Sequence, residues 1–226
     1  MKIRIKFSKY GTMKYIGHLD MMRFFQKAIR RAGIDVKYSE GFSPHQIMSF
    51  AAPLGIGMES KGEYMDIEVC SMTSTQDMKE ALAQVMVEGV DIISVSVLPD
   101  NAKNAMASVA AASYLLQRKE GDYPVNDLAE KLQAFLALEA IPYTKETKKS
   151  VVELNLKEGI YELAADGSNA IRMMVNASSS GNIKPGMVME AFCSFAGVEI
   201  PAGSYQIIKL ETYTENAHKF VPLDAV

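Results

Sequence analysis

The hydrophobic period changes once within the first 32 residues, and that change constrains the fold more than any total does. Over residues 1–8, Ile3, Ile5 and Phe7 alternate with Lys2, Arg4 and Lys6, the two-residue period of a strand with one apolar face. Over residues 18–32 the period lengthens to three or four. Leu19, Met22, Phe25, Ile29 and Ala32 recur as on one face of a helix, and Gly33 follows at the C-cap position.

The rest of the chain continues this strand and helix order. Residues 34–39 read as a short strand, followed by a loop rich in Gly, Ser and Pro. Residues 49–57 hold another short strand before their Pro-Gly punctuation. Residues 63–70 alternate Tyr64, Asp66 and Glu68 with Met65, Ile67 and Val69. Ser74 or Thr75 caps a helix over 75–89, and a strand follows at 91–99. Strand, helix, strand, strand, helix, strand is the ferredoxin-like split βαβ order.

The order then restarts. A strand is predicted at 112–119 and a helix over 125–139, capped by Asn126. Strands are predicted at 150–157 and 170–178, with a weaker one at 160–166. A helix over 184–197 has Pro185 in its first turn and Gly197 after its end. A strand at 205–214 closes the chain. The predicted fold is therefore α+β, two tandem ferredoxin-like (βαββαβ) domains with antiparallel sheets. They occupy residues 1–100 and 107–226, with the boundary at 99–107. No sequence-level repeat accompanies the order.

At 48% hydrophobic and 23% charged residues, the composition is that of a soluble globular protein. No apolar run approaches the roughly 20 residues that span a bilayer. The N-terminus lacks the apolar core of a signal peptide. Two cysteines, Cys70 and Cys193, lie far apart, which points to a reducing compartment rather than a disulfide framework. A cytoplasmic protein without membrane contact is expected.

Net charge is -3, but its distribution is uneven. Residues 1–50 hold ten lysines and arginines against three acids, and the remaining 176 residues hold 14 against 24. Arg23, Lys27 and Arg30 are spaced i, i+4, i+7 on the predicted helix, and Arg31 adjoins them. They form a cationic ridge opposite the apolar stripe, and Lys2, Arg4 and Lys6 share one strand face. Such arrays hold a phosphate backbone through charge and counterion release. A solvated charged face is the alternative.

His18 stands in the first turn of the predicted helix, near the apolar stripe, as a packed or capping residue would. His45 follows Pro44 in a polar loop, where functional groups are more often exposed. Imidazoles titrate near neutrality, so His18 and His45 are candidate catalytic residues, one as general base and one as general acid in metal-free RNA cleavage. No HExxH, CxxC, P-loop or GxGxxG motif is present, so neither a metal nor a cofactor is expected on this chain. Two cysteines are too few for an iron–sulfur cluster.

The ordered set GHLD, the RR at the helix end, YS-x-GF-x-PH, SFA-x-PL-x-G and ES-x-GEY-x-D, over residues 9–69, closely resembles the radical SAM-linked protein family. That is a bacterial domain family of unknown function. Its domain stands alone or follows a part resembling a cobalamin-binding radical SAM enzyme. After PH the family often has Pro or a basic residue, where this chain has Gln46 and Ile47. Beyond residue 100 the resemblance is looser. A fold-level analogy runs to the tandem ferredoxin-like RNA-processing proteins of CRISPR systems.

The resemblance implies partnership with a radical SAM enzyme. The chain lacks CxxxCxxC, so the cluster would lie on that partner. The expected role is an accessory protein, not an enzyme on its own, that binds RNA or presents a substrate, RNA or ribonucleoprotein, to the radical SAM enzyme. Arg23, Lys27, Arg30 and Arg31 would hold phosphate, and Phe42 and His45 would meet the substrate. The alternatives are a protein–protein adapter that docks the enzyme without RNA, and a metal-independent endoribonuclease using His18 and His45.

Overall fold

The computed structural model describes residues 1–146 and 151–225. In chain order the elements are β1 (Lys2–Lys9), α1 (His18–Arg31), β2 (Met48–Phe50), β3 (Glu59–Glu68), α2 (Thr75–Ala83), β4 (Ile92–Leu98), α3 (Ala105–Ser108), β5 (Ala111–Arg118), α4 (Leu128–Leu136), β6 (Pro142–Glu146), β7 (Val151–Asn155), β8 (Ile160–Ala165), β9 (Ala170–Asn176), α5 (Pro185–Ala196), β10 (Tyr205–Asn216) and β11 (Lys219–Pro222). The fold is mixed α+β with mostly antiparallel pairing. No helix among the described residues is long and apolar enough to cross a membrane. The chain divides into two units, Met1–Ala110 with Glu211–Val226, and Ala111–Leu210. The expected boundary fell at 99–107. Here the first unit runs on to Ala110 and also takes the C-terminal residues from Glu211.

In the first unit β1 lies between β4 and β3, antiparallel to both. β2 pairs with β3 from Met48↔Ile67 to Phe50↔Met65. Farther along β3, Thr212 of β10 donates its hydroxyl to Gly62 O at 2.8 Å. The apolar face of β1 is sealed, with Ile3 and Ile5 wholly buried and Phe7 nearly so. Phe7 meets Phe25 of α1 edge-on at 4.7 Å between ring centroids. Burying side chains such as Phe25 and Ile29 is worth about 1.5–3 kcal/mol each, so this helix is held by its contacts with the sheet. The buried face of α1 is Met21, Phe25, Ala28 and Ile29. The expected stripe needs correction at its start, because Leu19 is 63% exposed.

The expected cationic face of Lys2, Arg4 and Lys6 is also corrected. Arg4 is buried and makes two bonds to Asp66, at 2.8 and 2.9 Å, with a third to Leu223 O at 2.9 Å. Lys6 donates to Glu211 at 2.6 Å and lies 3.5 Å from Asp224. Lys2 donates to the carbonyls of Asp100 and Ala102. Residues 100–103 and the C-terminal segment cover this face, so its cations are consumed internally.

Shorter departures have local causes. Residues 34–39 form no strand and make only single bridges, Val36↔Val69 and Tyr38↔Gln46. α2 is capped by Ser74, whose Oγ accepts from Asp77 N at 3.0 Å, and its α-helical span ends at Ala83, short of Gly89. β11 was not anticipated. It forms a hairpin with β10, and the positive φ values of Ala217 and His218 suit its tight turn.

In the second unit β9 lies between β5 and β8, antiparallel to both. Phe135 of α4 and Phe192 of α5 are buried and meet at 5.6 Å. The cap of α4 is Asp127, in left-handed backbone, rather than Asn126. β6 and β7 pair antiparallel, and β6 was not anticipated. Ser150, where the expected strand begins, lies outside the described residues.

Candidate functional site

α1 turns Arg23, Lys27, Arg30 and Arg31 to solvent. Arg23 has a 3.3 Å pair with Asp20, both side chains being more than 60% exposed, an arrangement worth about 0–1 kcal/mol. Arg30 donates to Gln26 O at 3.3 Å. Among the described residues Lys27, Arg30 and Arg31 have no acidic partner. Lys27, Arg30 and Arg31 are therefore unneutralised cations, in contrast to those of β1.

The loop of residues 39–45 closes on itself. Ser39 N donates to His45 O at 2.8 Å, and His45 N donates to Ser39 Oγ at 3.1 Å. Ser39 Oγ and His45 Nδ1 share a 2.9 Å hydrogen bond that fixes the exposed ring. Phe42 is wholly exposed at the tip, and Tyr38 is 45% exposed at the base. Gln46 is buried, and its Nε2 donates to Gln26 O at 3.1 Å. Gln26 sits on α1 between Arg23 and Arg30, so the loop is pinned to the helix that carries the ridge.

A second feature lies at the N-terminal end of α1. His18, Lys9 and Glu63 line a cavity with Phe7, Met21, Phe50 and Leu54. His18 is half-buried and meets Phe50 edge-on at 5.2 Å. Lys9 and Glu63 are buried. Lys9 Nζ donates to Ile16 O at 2.6 Å. Burial pulls its ammonium below the ordinary lysine range, against the opposing pull of the Glu63 carboxylate. The strand register explains the grouping. Phe7 faces Glu63, while Lys9 faces Ser60, so β3 carries one extra residue at a bulge.

The two candidate catalytic histidines share no contact among the described residues. His45 is bound to Ser39 on an exposed loop and takes no part in the lining around His18. Lys9 and Glu63 were not singled out from sequence. Their signal was periodicity: Lys9 continues the odd-numbered apolar series of Ile3, Ile5 and Phe7, and Glu63 precedes Met65 and Ile67 on theirs.

The family described as "Uncharacterized protein conserved in bacteria (DUF2344)" matches residues 2–185, and the chain belongs to it. No curated protein matches the chain. Among solved structures it is similar to a chain of "Crystal Structure of a Cbf5-Nop10-Gar1 Complex", at 11% identity and a TM-score of 0.49. That match covers 95% of this chain but 50% of the other, so this chain spans half the length of the one it matches.

Proposed function

We propose that this protein is a cytoplasmic RNA-binding or substrate-presenting accessory protein, non-catalytic on its own, serving a radical SAM enzyme that acts on RNA or a ribonucleoprotein. The observation that carries the RNA reading is the Gln46–Gln26 bond. It sets a loop bearing Phe42, Tyr38 and His45 beside the unpaired cations of α1. Cations that track a backbone, next to aromatics that can stack on bases, are the two components of single-strand recognition. The radical SAM partner rests on the motif resemblance alone. His45 is not among the residues that line the cavity around His18, so the endoribonuclease reading gains no support.

We also read each unit as ferredoxin-like. The antiparallel order β4-β1-β3-β2 supports this for the first. The pairs β5–β9 and β9–β8, with a helix after β5 and after β9, support it for the second.

The test is a salt titration of binding to a pool of single-stranded and structured RNA. Affinity falls steeply with salt in the wild type. Arg30→Ala with Arg31→Ala lowers the slope of log K against log salt by about 2. Absence of detectable RNA affinity at low salt overturns the reading. Recovery of the radical SAM enzyme by this protein, undiminished by RNase, would then leave the adapter role.

A further inference from the structure

The second unit carries an open strand edge beside a groove. β6 pairs with β7 alone, from Pro142↔Asn155 to Glu146↔Val151. Just before β6, Leu156 N donates to Ile141 O at 2.9 Å, so these two residues form a hydrogen-bonded pair. Such pairs alternate along an antiparallel ladder. Tyr143 therefore also turns its N–H and C=O to β7, while Pro142 and Thr144 turn theirs away. Pro142 stands where its missing N–H would face outward, so it costs the hairpin no bond. The outer edge offers Pro142 O, Thr144 N–H and Thr144 O, with no backbone partner among the described residues.

The groove takes Pro142, Tyr143 and Thr144 from β6 and nothing from β7, so it runs along the edge rather than over the ladder. Its other lining includes Glu190 and Phe195 of α5, with Phe135 and Leu138. Phe195 is 36% exposed and rests on buried Phe135 at 5.5 Å between ring centroids. A water-sized group has about 480 Å³ in which to move there, within the ~300–1,000 Å³ of ligand sites. Tyr143 donates its hydroxyl across to Glu190 Oε2 at 2.6 Å, so the Tyr143 face of β6 looks toward α5. Glu190 is exposed, and its Oε1 has no partner among the described residues. An extended backbone matches donors and acceptors at strand spacing. A helix does not, because its own N–H and C=O groups are spent within it. A phosphate would meet Glu190, and a second copy would bring its own Pro142, which has no N–H to give.

We propose that this groove binds an extended peptide segment of a partner protein, added antiparallel to β6, with an apolar side chain in the groove and a lysine or arginine two positions away. The peptide residue opposite Thr144 exchanges two backbone bonds with it, and the residue opposite Pro142 donates to Pro142 O. The residue between them lies opposite Tyr143 and turns its side chain the same way, onto Leu138 and Phe195. Residues two positions from it share that face, where a cation meets Glu190. No residue of the α1 ridge takes part, so this site goes beyond the RNA reading and does not depend on it.

The experiment titrates the full chain with the peptide acetyl-Thr-Lys-Thr-Leu-Thr-Lys-Thr-amide and follows backbone amides and the Phe195 ring by NMR. The peptide shifts Thr144 and Phe195. N-methylation of either threonine next to leucine removes one bond to β6 and weakens binding about tenfold, whereas N-methylation of leucine, whose N–H faces away, changes it little. Exchanging both lysines for glutamate weakens binding, and Glu190→Gln narrows that difference. Thr144→Pro removes the outward donor and weakens the peptide, and if that variant does not fold, the methylated peptides on the wild type still decide. No shift at Thr144 up to the peptide's solubility limit, or equal loss from methylation at leucine and at the threonines, overturns the proposal. A Thr144 shift that follows protein concentration without peptide assigns the edge to a second copy and overturns it as well. Arg30→Ala with Arg31→Ala leaves peptide binding unchanged, so failure of the RNA reading and failure of this site are told apart.

Discussion

Gln46 donates its side-chain amide to the backbone oxygen of Gln26, 3.1 Å away, and so fastens the 39–45 loop to the middle of α1. Gln46 is buried, and its Oε1 has no hydrogen-bond partner. The side chain is thus held for one bond only. Gln46→Ala removes that bond, at a cost of about 1 kcal/mol to the fold. Hydrogen exchange at residues 39–45 should quicken, and RNA affinity should fall with no change in salt slope. A loop that exchanges as slowly as in the wild type would show that the bond does not hold it.

Arg4 and Asp66 form a buried two-bond ion pair that also reaches Leu223 O. Breaking one side of such a pair costs about 3–5 kcal/mol, because the other charge stays buried. Asp66→Ala should therefore unfold at a much lower urea concentration than the wild type. Arg4→Met with Asp66→Leu, which removes both charges, should recover most of the loss. Equal destabilisation by the single and the double change would contradict this account.

Period two in residues 1–8 and period 3.6 in 18–32 placed β1 and α1, because burial acts on each residue through its own position along the element. The same periods could not say what covers the polar face of β1. Lys2, Arg4 and Lys6 looked like a polyanion-binding face, and only the return of Glu211 and Leu223–Asp224, more than 200 residues later, shows that they are spent. On α1 no such segment returns over Arg23, Lys27, Arg30 and Arg31, and their exposure was legible. The cavity was not, since Lys9, His18 and Glu63 meet through a strand register and a bulge that local pattern does not encode.

Gly89 adopts φ +96° with its backbone against Tyr10 O, which a Cβ would approach to 2.7 Å. Neither the backbone nor the nearby Met13 side chain leaves room. Gly89→Ala combines left-handed strain of about 1–2 kcal/mol with a backbone clash, so a loss of about 2 kcal/mol or more is expected. Gly33→Ala, also at positive φ but with open space around it, should cost less. Thermal denaturation of the two variants makes the comparison.

Phe42 is wholly exposed at the loop tip, and nothing in the fold requires it. Stacking on one base is worth about 1–3 kcal/mol. Phe42→Ala should then weaken single-stranded RNA binding by about tenfold while leaving both the melting temperature and the salt slope unchanged. Duplex RNA, whose bases are already stacked, should bind wild type and variant alike. An equal loss on both would mean that Phe42 acts without stacking.

Asp224 ties the C-terminal segment to the first unit's sheet, accepting from Tyr64 O–H and Ser94 O–H at 3.0 Å each and lying 3.5 Å from Lys6 Nζ. Burial pushes its carboxyl up, but the bonds from Tyr64 and Ser94 and the Lys6 charge more than offset this, so it is held below the usual value of 3.8. A depressed pKa means that the unfolded chain takes up the proton first as pH falls. The contribution of Asp224 is thus fully present above about pH 4 and is lost as pH falls further, through its folded value. Asp224→Asn keeps the shape but removes the charge. It should be less stable than the wild type at neutral pH, and the gap in urea midpoints should narrow steadily below about pH 4. A gap that stays constant into acid would mean that the charge of Asp224 does not hold the segment.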